Sequence, residues 1–142
     1  QVMHAGSGIT HSESNPSKST PLHLYQIWIL PQERNLRPGY EQRTFSYIPD
    51  NGLLLISPDG ENESLTIHQQ VKVTAYKTTP GEVITLDQGA FPYGWIQLAK
   101  GNLNLDNGLI LGEGDAASIQ NQEKIRVETN GQESLWFWFQ LQ

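Results

Sequence analysis

Residues 94–114 read Gly94-Trp-Ile-Gln-Leu-Ala-Lys-Gly-Asn-Leu-Asn-Leu-Asp-Asn-Gly-Leu-Ile-Leu-Gly-Glu-Gly114, and they decide the fold class. The first eight residues form a strand that ends on Gly101. Asn102 to Asp106 then alternates polar and apolar with a period of two, which is the pleat of a half-buried strand. Asn107-Gly108 is a strong two-residue hairpin signal, because both residues tolerate the left-handed backbone that a tight turn needs. Leu109-Ile-Leu111 carries the chain back. The same grammar runs outward in both directions. Strands are expected at 52–57, 64–68, 71–77 and 82–86 on one side, and at 116–119, 124–128 and 135–140 on the other. Pro58-Asp-Gly60 and Pro80-Gly81 punctuate them, and helical periodicity is nearly absent. Short strands at this spacing predict an all-β antiparallel sandwich or barrel.

The last of these strands, Leu135-Trp-Phe-Trp-Phe139, is apolar on both faces, whereas a sandwich strand usually wets one. Leu135, Phe137 and Phe139 point one way; Trp136 and Trp138 point the other. One set is expected in a core and the other in a domain or subunit contact, with a cofactor stacked on the Trp pair as the alternative. Upstream, His23 to Leu30 is also expected to be a strand, stopped by Pro31. A shift in composition near residues 45–52 separates a Pro-, Arg- and Asn-rich first part from a regular, acidic second part. The first part is too short to bury a core alone.

Composition narrows the partners. The chain has 142 residues and a formal net charge of -6. Residues 1–50 carry four basic and four acidic groups, and residues 51–142 carry five and eleven. A phosphate-backbone binder needs a concentrated basic face. The nearest candidate, Arg34, Arg37 and Arg43, is diluted by Glu33 and Glu41. Direct nucleic-acid binding and adsorption to an anionic membrane are not expected. No apolar run approaches the ~20 residues that cross a bilayer, and no secretory leader is read at the N-terminus. The absence of cysteine excludes disulfides and thiolate metal sites, and it fits a reducing cytoplasm.

One constellation could carry chemistry. In Gly6-Ser-Gly-Ile-Thr-His11-Ser-Glu13, His11 and Glu13 are two apart, so an extended backbone puts both on one face. An imidazole with a carboxylate suits iron, manganese, nickel or zinc. Two ligands do not complete a mononuclear site, and a solvated or hydrogen-bonded pair is the competing reading. His4, across the Gly-Ser-Gly bend, is the candidate third ligand. His23 is expected as a hydrogen-bonded core histidine and His68 as a surface residue.

The segments Gln1-Val-Met-His-Ala-Gly-Ser-Gly-Ile-Thr-His-Ser-Glu-Ser-Asn-Pro16, Pro21-Leu-His-Leu-Tyr-Gln-Ile-Trp-Ile-Leu-Pro31, Arg37-Pro-Gly-Tyr-Glu-Gln-Arg43 and Leu55-Ile-Ser-Pro-Asp-Gly60 resemble the pirin family of bicupins. Trp95 to Gly101 and Gly114-Asp-Ala-Ala117 extend the resemblance along the whole chain. It implies two tandem β-barrels, with residues 1–50 the end of a metal-binding N-terminal cupin plus linker, and residues 51–142 a C-terminal cupin. It also implies Fe(II) or another divalent metal held by three His and one Glu. Two of those ligands come from an H-S-E segment that falls on His11 and Glu13. The H-x-H segment that supplies the other two has no counterpart here, so the resemblance implies an N-terminally shortened chain with half a metal site. The activity implied is that of a quercetin 2,3-dioxygenase, in which flavonol and dioxygen meet and Glu13 doubles as catalytic base. The alternative is a non-catalytic cupin module for binding or assembly. In either case the apolar edge of residues 1–30 is expected to be covered by a homodimer.

Overall fold

The computed structural model describes residues 1–142. Strands β1 (Val2–His4) and β2 (Gly39–Glu41) pair with each other. They are followed by β3 (Leu53–Ser57), β4 (Leu65–Thr66), β5 (Val71–Thr78), β6 (Val83–Asp87) and β7 (Tyr93–Lys100). Next come β8 (Leu103–Leu105), β9 (Ile110–Leu111), β10 (Ala116–Gln120), β11 (Lys124–Thr129) and β12 (Ser134–Leu141). A six-stranded sheet, in the order β10-β7-β12-β5-β3-β4, faces a four-stranded sheet, β6-β11-β8-β9. The expected all-β class therefore holds, and the architecture is a cupin-type sandwich.

The pleat explains the core. Inward positions of β7, β10 and β12 contribute Ile96, Leu98, Ala117, Ile119, Trp136 and Trp138. The facing sheet contributes Leu86, Leu103, Leu105, Leu111, Ile125 and Val127. Trp136 is completely buried; its ring stacks on Tyr76 with centroids 4.3 Å apart. Its indole N–H donates to Thr78 Oγ1 at 3.0 Å, and Thr129 Oγ1 donates to the same oxygen at 2.6 Å. The polar edge of the indole is thus satisfied inside the apolar layer, as burial requires. Burial raises the Tyr76 phenol above its ordinary pKa. Gly94 is needed beside the second tryptophan, since a Cβ there would lie 2.0 Å from the Trp138 ring.

The opposite face of β12 and β5 forms a second cluster of Val71, Val73 and Phe139, with Phe137, Leu141 and Ile56 at its margin. Ile29 packs against it, and Tyr25 meets the Phe137 ring edge-on at 5.9 Å. The two-faced reading of the last strand is correct: the tryptophans face the sandwich core, and the phenylalanines face the upstream segment. The filled core leaves the Trp pair no room for a stacked cofactor.

Two local expectations fail. His23 to Leu30 is in no strand. It lies against the sheet through Ile29 and Tyr25, tied by Gln69 Nε2 donating to the Leu30 carbonyl at 2.8 Å, and it has no ladder partner. Its β-rich composition does not make a strand without a pairing partner, and of the run only Ile29 is half-buried. At the 105–109 hairpin, Asn107 does not take a positive φ, and only Gly108 does (φ +83). Gly108 N–H bonds to Leu105 O, and Leu105 N–H to Leu109 O. This is a three-residue loop built on an ordinary turn with glycine at the left-handed position.

Candidate functional site

The segment carrying His11 and Glu13 is anchored at its start. After β1 the chain reverses through Ala5–Gly8, where Gly8 N–H donates to Ala5 O at 2.7 Å and Ser7 N–H to Leu36 O at 3.2 Å. Gly6 has φ +52, and a Cβ on it would sit 2.1 Å from the Leu36 carbonyl oxygen, so this close approach needs glycine. Beyond the turn, residues 9–15 run without helix or strand, and His11 and Glu13 are exposed.

No three His, Asp or Glu side chains lie close enough together to hold a metal ion. His11, Glu13 and His4 are therefore not gathered into one site, and the reading of His4 as their third ligand is overturned. His4 projects from β1 and packs on His68, with ring centroids 4.4 Å apart. His23 is exposed beside Tyr25 (5.0 Å) and is not a core residue. His68 is exposed, as expected.

The His4–His68 contact joins the β1–β2 pair to the loop before β5, and Glu41 reinforces it by accepting from the Thr66 N–H at 2.8 Å. Nothing in the sequence signals this contact, since His4 and His68 are remote along the chain. Burial holds the His4 imidazole below its ordinary pKa; the His68 ring adds to the effect and Glu41 opposes it. The unfolded chain then takes up the His4 proton at a higher pH than the folded one. The contact contributes fully above the unfolded pKa of 6.5 and is lost as pH falls below it. Thermal melting between neutral and mildly acidic pH is expected to show a shallower loss of stability in His4→Gln than in the parent chain. Equal slopes would remove His4 from the acid response.

Comparison with known proteins places this geometry. Residues 54–141 match the family described as the quercetinase C-terminal cupin domain, and residues 1–29 match the pirin family. The chain belongs to the pirin family. Quercetin 2,3-dioxygenase of Escherichia coli K12 is 38% identical over 130 residues, covering 92% of this chain and 55% of the relative. A putative quercetin 2,3-dioxygenase of Pasteurella multocida is 34% identical, covering 90% and 55%. Among solved structures, YhhW from Escherichia coli superposes with a TM-score of 0.75 at 29% identity, covering 81% of this chain and 48% of YhhW. A second structure, bacterial pirin YhhW in complex with nickel(II), gives 0.74 at 29% identity, covering 80% and 48%. This pirin chain thus spans about half the length of the curated relatives it matches. No helix in it is long and apolar enough to cross a membrane.

Proposed function

We propose that this pirin chain supplies His11 and Glu13 as two of the ligands of a divalent metal centre, iron being the metal of this reading. The remaining ligands come from residues outside the chain. The observation that carries the proposal is that His11 and Glu13, two residues apart, are both exposed just beyond a glycine turn fixed to Leu36. An imidazole and a carboxylate form a donor pair suited to such an ion, and one structural relative is a nickel(II) complex. The residues present do not make a site by themselves. The whole protein is then a dioxygenase of quercetin-like flavonols, like the relatives named for that activity, working in the cytoplasm. Glu13 takes up the proton of the flavonol hydroxyl.

Metal titration tests this reading. Fe(II) under anaerobic conditions, or Ni(II), is expected to bind stoichiometrically to a chain extended to the length of its relatives, and His11→Ala is expected to abolish that binding. Residues 1–142 alone are expected to bind weakly. Stoichiometric uptake by a monomer of 1–142 would overturn the division of ligands.

A second role is favoured by the sandwich itself. Residues 51–142 enclose a core filled by two tryptophans, and their one histidine is engaged with His4. This unit serves as a non-catalytic module on which the metal-binding segment rests. Leu22, Leu24, Trp28 and Leu30 are 56%, 52%, 88% and 86% exposed along one unpaired stretch. Burying each such side chain is worth about 1.5–3 kcal/mol, and a second copy of residues 1–142 covers them as a dimer. Sedimentation at tens of micromolar is expected to show that dimer, and the pair Trp28→Ser and Leu30→Ser to dissociate it. A monodisperse parent monomer would refute it.

A further inference from the structure

The chain holds three Asn-Gly pairs, Asn51-Gly52, Asn107-Gly108 and Asn130-Gly131. In each, the missing glycine side chain lets the glycine nitrogen approach the preceding carboxamide. All three share the Asn-Gly step, and the fold sets them in different surroundings.

At Asn107-Gly108 both reacting groups are held. Asn107 Oδ1 accepts from the Leu109 N–H at 3.0 Å, and Gly108 N–H donates to Leu105 O at 2.9 Å. At Asn51-Gly52 one is held: Gly52 N–H donates to Pro49 O at 2.9 Å. Gly52 is also packed against Tyr76, whose ring would lie 2.6 Å from an added Cβ. At Asn130-Gly131 neither is held. Both residues are exposed, Gly131 N–H has no hydrogen-bond partner, and nothing lies within 4 Å of the position of a Gly131 Cβ. Gly131 sits at φ +75 in the centre of a three-residue turn, which Gln132 N–H closes onto Asn130 O at 2.9 Å.

We propose that Asn130 is a site of spontaneous covalent modification, converted to aspartate and isoaspartate. The Gly131 nitrogen gives its proton to solvent hydroxide and bonds to Asn130 Cγ. The Cγ–Nδ2 bond breaks, and the nitrogen leaves as ammonia after taking a proton from water. Water then opens the resulting succinimide at either carbonyl. The net change is amide plus water to carboxylic acid plus ammonia, with no oxidation or reduction. The isoaspartate product inserts a methylene into the backbone between Thr129 and Ser134, both buried. That end of the sandwich is fastened by Asn130 N–H to Asn102 O at 3.0 Å and by Ser134 Oγ to the same carbonyl at 3.2 Å. Conversion loosens this fastening.

The test is to age the whole chain in mildly alkaline buffer and to map the one-dalton mass gain peptide by peptide, with fragmentation that separates isoaspartate from aspartate. A parallel sample is aged in concentrated urea. In the folded chain Asn130 is expected to convert first, Asn51 next and Asn107 last. Asn51 should trail by about tenfold, the rate effect of first opening one turn hydrogen bond, and Asn107, with two to open, by more. In urea the three rates are expected to converge. Asn51 or Asn107 matching Asn130 in the folded chain would overturn the proposal. So would an undiminished lead of Asn130 in urea, since flanking sequence and not the fold would then set the order.

Discussion

Glu13→Gln, made in a chain extended to the length of its pirin relatives and loaded with iron, is expected to lower quercetin oxidation by about two to four orders of magnitude, the usual contribution of a positioned general base. The substitution keeps the size of the side chain and removes its charge and its capacity to hold a proton. Glu13 is exposed, so the loss should come without a change in fold. Metal content measured on the same sample separates the two roles assigned to this carboxylate. Loss of turnover with metal retained identifies the base; loss of both identifies the ligand. Turnover unchanged from the parent would remove Glu13 from the site altogether.

The largest effect on stability is expected at Trp136. Replacing this fully buried ring with alanine should cost about 3–5 kcal/mol, combining lost transfer free energy with the cavity left behind. It also leaves the Thr78–Thr129 hydroxyl pair without its indole donor and Tyr76 without its stacking partner. Urea denaturation of residues 1–142 measures the loss. Trp28→Ala, whose side chain is 88% exposed, is the matched comparison. It should change unfolding little under conditions that keep the chain monomeric. A Trp136→Ala cost no larger than that of Trp28→Ala would mean that the sandwich core repacks around the missing ring.

Much of this was legible in the residues. The alternation at 102–106, the glycines that end strands, and the Asn-Gly and Pro-Gly turns are local signals with local causes, and the second-half strands fall where they predict. The two-sided apolar pattern of 135–139 correctly announced two burial surfaces, because a pleat sends neighbouring side chains to opposite faces. Pattern reading went wrong where the outcome depends on a neighbour. The apolar, β-branched run His23 to Leu30 looks like a strand, yet a ladder needs a second backbone within hydrogen-bonding reach, and the segment meets side chains of β5 and β12 instead. At Asn107 the two-residue turn gave way to a three-residue loop, because the register of β8 on β9 places Leu105 against Leu109.

The candidate site divides in the same manner. The sequence alone determined the all-β class and the pirin resemblance, and it singled out His11 and Glu13 as the proposed donor pair, since each rests on residue type and short spacing. Only the tertiary structure decided that His4 turns to His68 rather than toward that pair, that the tryptophans rather than the phenylalanines fill the sandwich core, and that one Asn-Gly pair of three is left unprotected. Each of these depends on contacts between residues far apart along the chain, and short-range pattern carries no information about which distant group arrives.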